Sequence, residues 1–281
     1  ELVPWHDDRN EIIKITFSKG VQSIGNYSFS NFIHITSVVI PEGVVKISRD
    51  AFSGCENLKT VTISCTVQSI GMSAFENCKV LDDVELPLGL IRISPCVFKD
   101  CKKLSSITIP EGVISIESEA FKGCSSLKNV QFPNTLIYIG KSAFEECIEL
   151  QSPTFPESLM HLNSGAFKSC INIERLKLPE AVKFIEDRVF VGCQKLREVV
   201  FPREVASIGV KVFERCKSLG KIDFSSKVTS VGEKIFEECT ALQTIKLSGS
   251  TENMDLKRIL FADTPLEKRK EKKKKHIPVE E

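Results

Sequence analysis

The stretch Val67–Pro87 decides the fold: Val-Gln-Ser-Ile-Gly-Met-Ser-Ala-Phe-Glu-Asn-Cys-Lys-Val-Leu-Asp-Asp-Val-Glu-Leu-Pro. Its pattern returns along the chain in steps of 23 residues, without insertions. Phenylalanine recurs at Phe29, Phe52, Phe75, Phe98, Phe121, Phe144, Phe167, Phe190, Phe213 and Phe236. Cysteine recurs at Cys55, Cys78, Cys101, Cys124, Cys147, Cys170, Cys193, Cys216 and Cys239. A fixed period of this length predicts a solenoid, in which each coil stacks only on its neighbours.

Each repeat contains three local patterns. The Leu-x-x-Val-x-Ile end, as in Leu81–Leu86, alternates apolar and polar residues and predicts a short strand with one buried face. A proline such as Pro87 then ends the strand, because it has no amide to donate. The Val-x-x-Ile segment, as in Val67–Ile70, predicts a second short extended piece. Ala-Phe-x-x-Cys, as in Ala74–Cys78, favours one helical or 3₁₀ turn, because a spacing of three places Phe and Cys near one face.

These patterns divide the chain into a solenoid and its ends. The repeats cover residues 21–247, and residues 1–20 precede them as an N-terminal cap. Within that cap, Glu11–Phe17 alternates like a strand but lacks the Phe/Cys half of a coil, and Trp5 is placed to cover it. A stack of coils needs such caps because its ends otherwise expose apolar residues.

The C-terminal part loses the repeat gradually. Residues 248–266 are predicted to form a degenerate cap, in which Met254, Ile259 and Ala262 take the Ile, Phe and Cys positions. Residues 267–281 are rich in lysine and have no apolar periodicity, which predicts a disordered tail. A solvated tail or linker is the favoured interpretation, and a nuclear-localisation or anionic-surface segment is the alternative.

Charge argues against a nucleic-acid or anionic-membrane partner. The chain has 38 basic and 37 acidic residues, a formal charge of +1. The last 15 residues hold seven of the basic and four of the acidic side chains, so the rest is close to neutral at about −2. That balance lacks the basic patch expected of such a protein. No apolar run approaches the ~18–20 residues of a membrane-spanning helix.

The repeats resemble the BspA-like, or treponemal-type, leucine-rich repeat. Its consensus is Val-x-x-Ile-Gly-x-x-Ala-Phe-x-x-Cys-x-x-Leu-x-x-Val-x-Ile-Pro, and Val67–Pro87 follows it closely. The resemblance implies an α/β, strand-rich leucine-rich-repeat solenoid of about ten 23-residue coils, curved and right-handed, with degenerate terminal caps. It also implies a surface-exposed or secreted protein, used for adhesion and protein recognition in bacteria and parasitic protists.

The cysteine column allows three interpretations. Disulfides are compatible with a coil spacing near 4.8 Å, but nine equivalent thiols cannot all pair. Zinc requires ligands clustered at spacings such as C-x₂₋₄-C, whereas consecutive column cysteines are one coil apart. Small buried thiols that pack as apolar side chains are favoured. Cys65 and Cys96 lie outside the column and are candidates for exposed, reactive thiols.

Catalytic patterns do not recur in the sequence. His6-Asp7-Asp8 is a weak metal-site candidate, and the other histidines lie in unrelated contexts. No nucleophile–base pair, phosphate-binding loop or carboxylate pair is evident. We therefore expect a protein that is not an enzyme and needs neither cofactor nor metal.

The outward strand positions are the predicted binding face, because solenoids present one long ordered surface. The residues chosen are Thr62, Glu85, Thr108, Gln131, Thr154 and Lys177. The preferred hypothesis is a monomeric, non-enzymatic surface or secreted protein that binds a protein or a glycan, for example a host extracellular-matrix or cell-surface protein. The alternative is an intracellular (cytoplasmic) scaffold with reduced thiols, whose basic tail serves for docking or targeting.

Overall fold

A computed structural model describes residues 4–5, 7–224, 227–247 and 264. In these residues the chain forms one 3₁₀ helix, Asp7–Asn10, and a series of short parallel strands. The strands lie in two rows, one for each extended segment of the repeat. The predicted strand-rich solenoid of about ten 23-residue coils is confirmed.

The first row, which we call sheet 1, comes from the Val-x-x-Ile segments. Its two-residue strands are Ser23–Ile24, Lys46–Ile47, Ser69–Ile70, Arg92–Ile93, Ser115–Ile116, Tyr138–Ile139, His161–Leu162, Phe184–Ile185, Ser207–Ile208 and Ser230–Val231. They pair in parallel with a register of one repeat, as when Ile24 lies beside Ile47, in two groups that meet between Ser69–Ile70 and Arg92–Ile93. Residues that occupy the same position in successive repeats, which we call a column, therefore form a row along the solenoid.

The second row, sheet 2, comes from the Leu-x-x-Val-x-Ile segments. Its strands are Ser37–Ile40, Thr60–Ile63, Asp83–Val84, Ser106–Thr108, Asn129–Gln131, Arg175–Lys177, Glu198–Val200, Lys221–Phe224 and Thr244–Leu247. These strands also pair in parallel, for example Val38 with Val61. Burial alternates along them, so one residue points into the core and the next is exposed.

The Ala-Phe-x-x-Cys segment has the i→i+3 bond of the predicted 3₁₀ turn, as from Cys55 N to Phe52 O at 3.2 Å, but it does not extend into a helix. It contains no helix but a succession of turns, in which alternate amides bond to the next coil: Asp50 N to Met72 O, Phe52 N to Ala74 O and Gly54 N to Glu76 O, at 2.7–2.9 Å. Asp50 and Gly54, whose amides make two of these bonds, have positive φ (52° and 74°). The expected α component is therefore almost absent.

Phenylalanine forms the central row of the core. From Phe29 to Phe236, neighbouring rings of the column stack with centroids 5.2–5.9 Å apart and planes within 2–18° of parallel. These centroid distances belong to the offset stacking that aromatic rings favour. From Phe52 onward the column rings are fully buried, and the apolar residues of both sheets close around them.

The N-terminal segment covers the first ring of this row. Trp5 stacks on Phe29 at 5.9 Å, and its Nε1 donates a hydrogen bond to the Ser28 carbonyl, at 2.8 Å. Phe17 meets the same ring edge-on. The predicted strand at Glu11–Phe17 is wrong, because these residues pack against the core without pairing as a strand. The predicted C-terminal cap, apart from Thr264, and the predicted tail lie outside the described residues.

Candidate functional site

The six residues predicted to form the binding face are all exposed, and we call them the polar row. Thr62, Thr108, Gln131 and Lys177 lie on sheet 2 strands, and Glu85 follows the strand Asp83–Val84 directly. Their inward neighbours, such as Ile107 and Leu176, are buried. The alternation therefore directs the polar row away from the core, as expected for a strand with one buried face.

The middle of the polar row is the most organised part. Thr108 lies beside Gln131 in the parallel ladder, and its Oγ1 donates to Gln131 Oε1, at 3.3 Å. Glu85 and Thr108 line one recess of about 360 Å³, together with Asp83, Ser106 and Leu88. This recess lies at one of three interruptions in the pairing of the described sheet 2 strands, the one between Asp83–Val84 and Ser106–Thr108. Carboxylate, hydroxyl and apolar groups are therefore grouped at one place.

Thr154 departs from the strand prediction. Residues 151–156 form no strand, and Pro153 stands at the inward position that Val130 and Leu176 hold in the neighbouring coils. Proline has no amide to donate and is disfavoured inside a sheet. Instead, Ser152 Oγ accepts hydrogen bonds from the Glu174 and Arg175 amides, at 3.1 and 3.0 Å. Thr154 remains exposed, but on an irregular segment.

Charged side chains continue the face toward the C-terminus. Lys177 Nζ lies 3.8 Å from Glu157 Oε1, and Arg175 Nε lies 3.8 Å from Glu198 Oε2. All four side chains are at least 61% exposed, so these ion pairs contribute little to folding. A mixed-charge recess of about 650 Å³, which Ser152 and Arg175 help to line, lies beside them. These charges remain available to a ligand.

Sequence reasoning missed Leu88 as part of the face. It lines the recess beside Glu85, with 77% of its side chain exposed. The signal was present in the alignment of repeats, because Leu88 replaces the polar residues Glu42, Glu111 and Asn134 found at the same position of other coils. An exposed leucine beside a carboxylate adds an apolar contact to the recess.

The nine column cysteines are free and buried, and each thiol donates to a backbone carbonyl. The acceptor is always the column phenylalanine 26 residues earlier, from Cys55 with Phe29 to Cys239 with Phe213, at 3.0–3.4 Å. Burial raises the pKa of the Cys55, Cys193 and Cys239 thiols to about 12. Since the thiolate is the reactive form, these thiols are structural.

The candidates for chemistry outside the column are sparse. Cys65 is exposed and Cys96 is half-buried, and burial followed by the Glu119 charge raises the pKa of Cys96. Among the described residues no three His, Cys, Asp or Glu side chains are grouped as metal ligands. His6, part of the weak metal-site candidate His6-Asp7-Asp8, lies outside the described residues.

In the described part of the chain, no helix has the length and apolar character to cross a membrane.

Comparison with known proteins agrees with this geometry. The family model described as a BspA type leucine rich repeat region, with six copies, matches residues 7–110, 91–219 and 160–275. The chain belongs to the BspA-type leucine-rich repeat family. Such repeats generally form protein-interaction folds and are typically non-enzymatic scaffolds. No curated protein matches this BspA-type chain significantly.

Solved structures share the fold of this BspA-type solenoid. A leucine-rich repeat protein from Bacteroides ovatus is 26% identical, with a TM-score of 0.55, and the match covers 82% of this chain and 78% of that one. One from Eubacterium ventriosum is 21% identical, with a TM-score of 0.58 and coverages of 87% and 75%. The pneumococcal vaccine antigen PcpA is 20% identical, with a TM-score of 0.55 and coverages of 78% and 63%.

Proposed function

We propose that this chain is a non-enzymatic recognition and adhesion solenoid that binds a protein or a glycan through the polar row of sheet 2. The observation that carries the proposal is the recess between Glu85 and Thr108, continued by the Thr108–Gln131 hydrogen bond. It offers a carboxylate, two hydrogen-bonding side chains and an apolar edge on successive coils. Family membership supports the same role, since BspA-type repeats serve as binding scaffolds.

The row suits an extended ligand better than a small molecule. Its described members follow one another at the strand spacing of about 4.8 Å, which produces a long and shallow surface. Small-molecule sites are enclosed and largely apolar, whereas this face is open and polar. We therefore assign a protein segment or an oligosaccharide as the partner, and a surface or secreted location in line with the adhesion role.

The proposal is tested by bulky, charged substitutions on the row. Thr108→Arg with Gln131→Arg fills the centre of the face, and Thr229→Arg introduces the same side chain at an exposed position of the other face. The two variants and the unsubstituted chain are applied to arrays of purified extracellular-matrix proteins and of glycans. We expect the double variant to lose the binding shown by the unsubstituted chain, while Thr229→Arg retains it. Equal binding by all three proteins on every positive spot contradicts the assignment.

A second candidate is an intracellular scaffold with a basic docking tail. The observation that favours it is the set of eleven free cysteines, since thiols remain reduced in the cytosol and oxidise in secreted proteins. Labelling intact cells from outside with a membrane-impermeant amine reagent distinguishes the two. Labelled protein supports the surface proposal, and labelling only after lysis supports the scaffold.

A further inference from the structure

Sheet 1 is interrupted at one place among the described strands, between Ser69–Ile70 and Arg92–Ile93. In seven other coils, the amide at the position of Ile91 donates to the preceding coil, at 2.8–2.9 Å. The Ile91 amide donates to no described residue. A recess of about 860 Å³ lies at this gap, and Ser69, Ile91 and Arg92 are among the residues that line it. We call it the sheet 1 recess. The interruption therefore leaves an unused backbone N–H at this recess.

The lining of the sheet 1 recess is positively charged. Lys46, Arg49 and Arg92 line it, and all three side chains are exposed. Glu117 is the one acidic residue among the described residues that line it, and its Oε1 accepts a hydrogen bond from the Ser115 hydroxyl, at 2.8 Å. Three cations against one carboxylate give the lining a formal charge of +2.

Two of these cations are left without a carboxylate. Elsewhere on the solenoid, several lysines pair with glutamates of a neighbouring coil, with N–O distances of 2.6–3.4 Å. Arg49 Nε similarly lies 2.9 Å from Asp50 Oδ2. Lys46 and Arg92 make no ion pair with any described residue. Their charges are therefore available to an anionic ligand.

The two unpaired cations occupy the same column, two coils apart. Ser69 stands between them in the intervening coil and pairs with Lys46 in the parallel ladder. At the strand spacing of about 4.8 Å, the backbones of Lys46 and Arg92 lie roughly 10 Å apart. In the other coils this column holds serine or a residue with a ring: Ser23, Ser115, Tyr138, His161, Phe184, Ser207 and Ser230. The cations are therefore a local feature and no requirement of the repeat.

The chemistry of the sheet 1 recess suits an oxyanion on a hydroxyl-rich ligand. An arginine guanidinium binds two oxygens of one oxyanion, and lysine supplies a point charge. Backbone N–H groups also bind anions. Between the cations, the side chains of Asn26, Gln68 and Ser69 offer neutral donors and acceptors for hydroxyl groups. No aromatic side chain is among the described residues that line the recess, so a nucleic-acid base has no ring to stack on.

We propose that the sheet 1 recess binds a sulfated glycan. One sulfate group binds at Arg92 and the Ile91 amide, a second binds at Lys46, and the sugar hydroxyls between them bond to Gln68 and Ser69. The site lies on the other row of strands from the polar row, so it is separate from the function proposed above. Because only two cations are unpaired, it recognises a short sulfated segment, and its affinity falls as salt screens the charges.

The first experiment titrates the protein with size-defined heparin oligosaccharides and with the same oligosaccharides after chemical desulfation. We expect binding that depends on sulfate and that weakens about tenfold or more in Lys46→Ala with Arg92→Ala. Ser69→Glu, which places a carboxylate between the cations, should abolish it. Lys103→Ala with Lys221→Ala is the matched control, since it removes two exposed cations outside the recess. Absence of binding, equal binding after desulfation, or equal loss in the control overturns the proposal.

The second experiment tests the class of ligand and the location of the site. An acidic peptide and a single-stranded oligonucleotide, each with as many negative charges as the oligosaccharide, compete for the protein. We expect both to compete about tenfold or more weakly than the sulfated oligosaccharide. Thr108→Ala with Gln131→Ala, on sheet 2, should leave oligosaccharide binding unchanged. Equal competition by the peptide or the oligonucleotide overturns the glycan assignment, and loss of binding in the sheet 2 variant overturns the location.

Discussion

The thiol of Cys101 donates a hydrogen bond to the backbone carbonyl of Phe75, at 3.1 Å, across the boundary between two coils. The same bond links each column cysteine to the preceding coil, so cysteine contributes a donor as well as packing. A small apolar residue would fill the space but remove one of two donors, since the Cys78 amide also donates to the Phe75 carbonyl, at 3.2 Å.

Replacing this donor should destabilise the fold. Cys101→Ala removes the thiol hydrogen bond and leaves a small cavity, while the Phe75 carbonyl keeps the Cys78 amide as its donor, so we expect a loss of about 1–2 kcal/mol in the free energy of unfolding. Denaturant titration measures it. Cys65→Ala, at an exposed site, should change stability by less than about 0.5 kcal/mol. Similar values for the two variants would show that the interior bond is unimportant.

The buried thiols should also make the protein sensitive to alkali. An unfolded thiol ionises near pH 8.5, whereas burial holds the pKa of folded Cys193 at about 12. Between these values the unfolded state binds fewer protons, so the free energy of unfolding falls as pH rises, by about 1.4 kcal/mol per pH unit for each such thiol. Cys193→Ala should make the measured pH dependence shallower by that amount. An unchanged slope would refute the explanation.

Glu145 should be a stabilising carboxylate of the turn surface. It accepts hydrogen bonds from Lys168 and Lys122, at 2.6 and 3.2 Å, with only 8% of its side chain exposed. Burial alone would raise the pKa of Glu145, but the hydrogen bonds from Lys168, Ser142 and Lys122 lower it. We expect Glu145→Gln to cost about 1–2 kcal/mol near neutral pH.

Two comparisons test the role of Glu145. The Glu56–Lys79 pair is as short, at 2.8 Å, but is 48% and 42% exposed, so Glu56→Gln should cost less than about 0.5 kcal/mol. Because the folded pKa of Glu145 is lowered, its contribution exists above the unfolded pKa of about 4.3 and is lost as pH falls through the folded value. A cost for Glu145→Gln that persists in strong acid would contradict the ionic origin.

Gly140, which follows the buried Ile139, should be required for the close approach of neighbouring coils. A Cβ at Gly140 would lie 2.7 Å from the backbone of Glu117 and Ser118, which cannot easily move. Gly140→Ala should therefore cost about 1–3 kcal/mol in denaturant unfolding. At Gly89 the closest atom is 3.4 Å away, so Gly89→Ala should be close to neutral. Equal effects would show that contact between coils is not the cause.

Much of the architecture was predictable because every coil repeats the same contacts. Rows such as Phe75 stacked on Phe98 follow from the 23-residue period alone, since the register in both sheets is one repeat. The hydrogen bonds that the Ala-Phe-x-x-Cys turns make to the next coil were not predictable from spacing. Residues three apart, such as Phe52 and Cys55, are neighbours both in a helix and in successive turns. The two conformations differ in their hydrogen bonds. In the successive turns, alternate amides donate to carbonyls of the next coil, and contacts between coils are not visible in local spacing.

The binding surfaces were only partly predictable. Alternation along the strands correctly placed Thr108 and Gln131 outward, but the irregular segment at Thr154 depends on Pro153, a single departure from the column. Ile114 and Ile137 are exposed although each directly follows a buried residue, Val113 or Leu136. Exposure of Ile114 or Ile137 becomes evident only when the coils are stacked.

Thiol labelling tests most directly the central claim that like residues of successive coils form continuous buried rows. A thiol-specific reagent is added to the native protein near neutral pH, and the labelled sites are mapped by mass spectrometry. The account predicts labelling of Cys65, slower labelling of Cys96, and labelling of all eleven cysteines after unfolding. Rapid labelling of Cys101, Cys124 or another column cysteine in the native protein would contradict it.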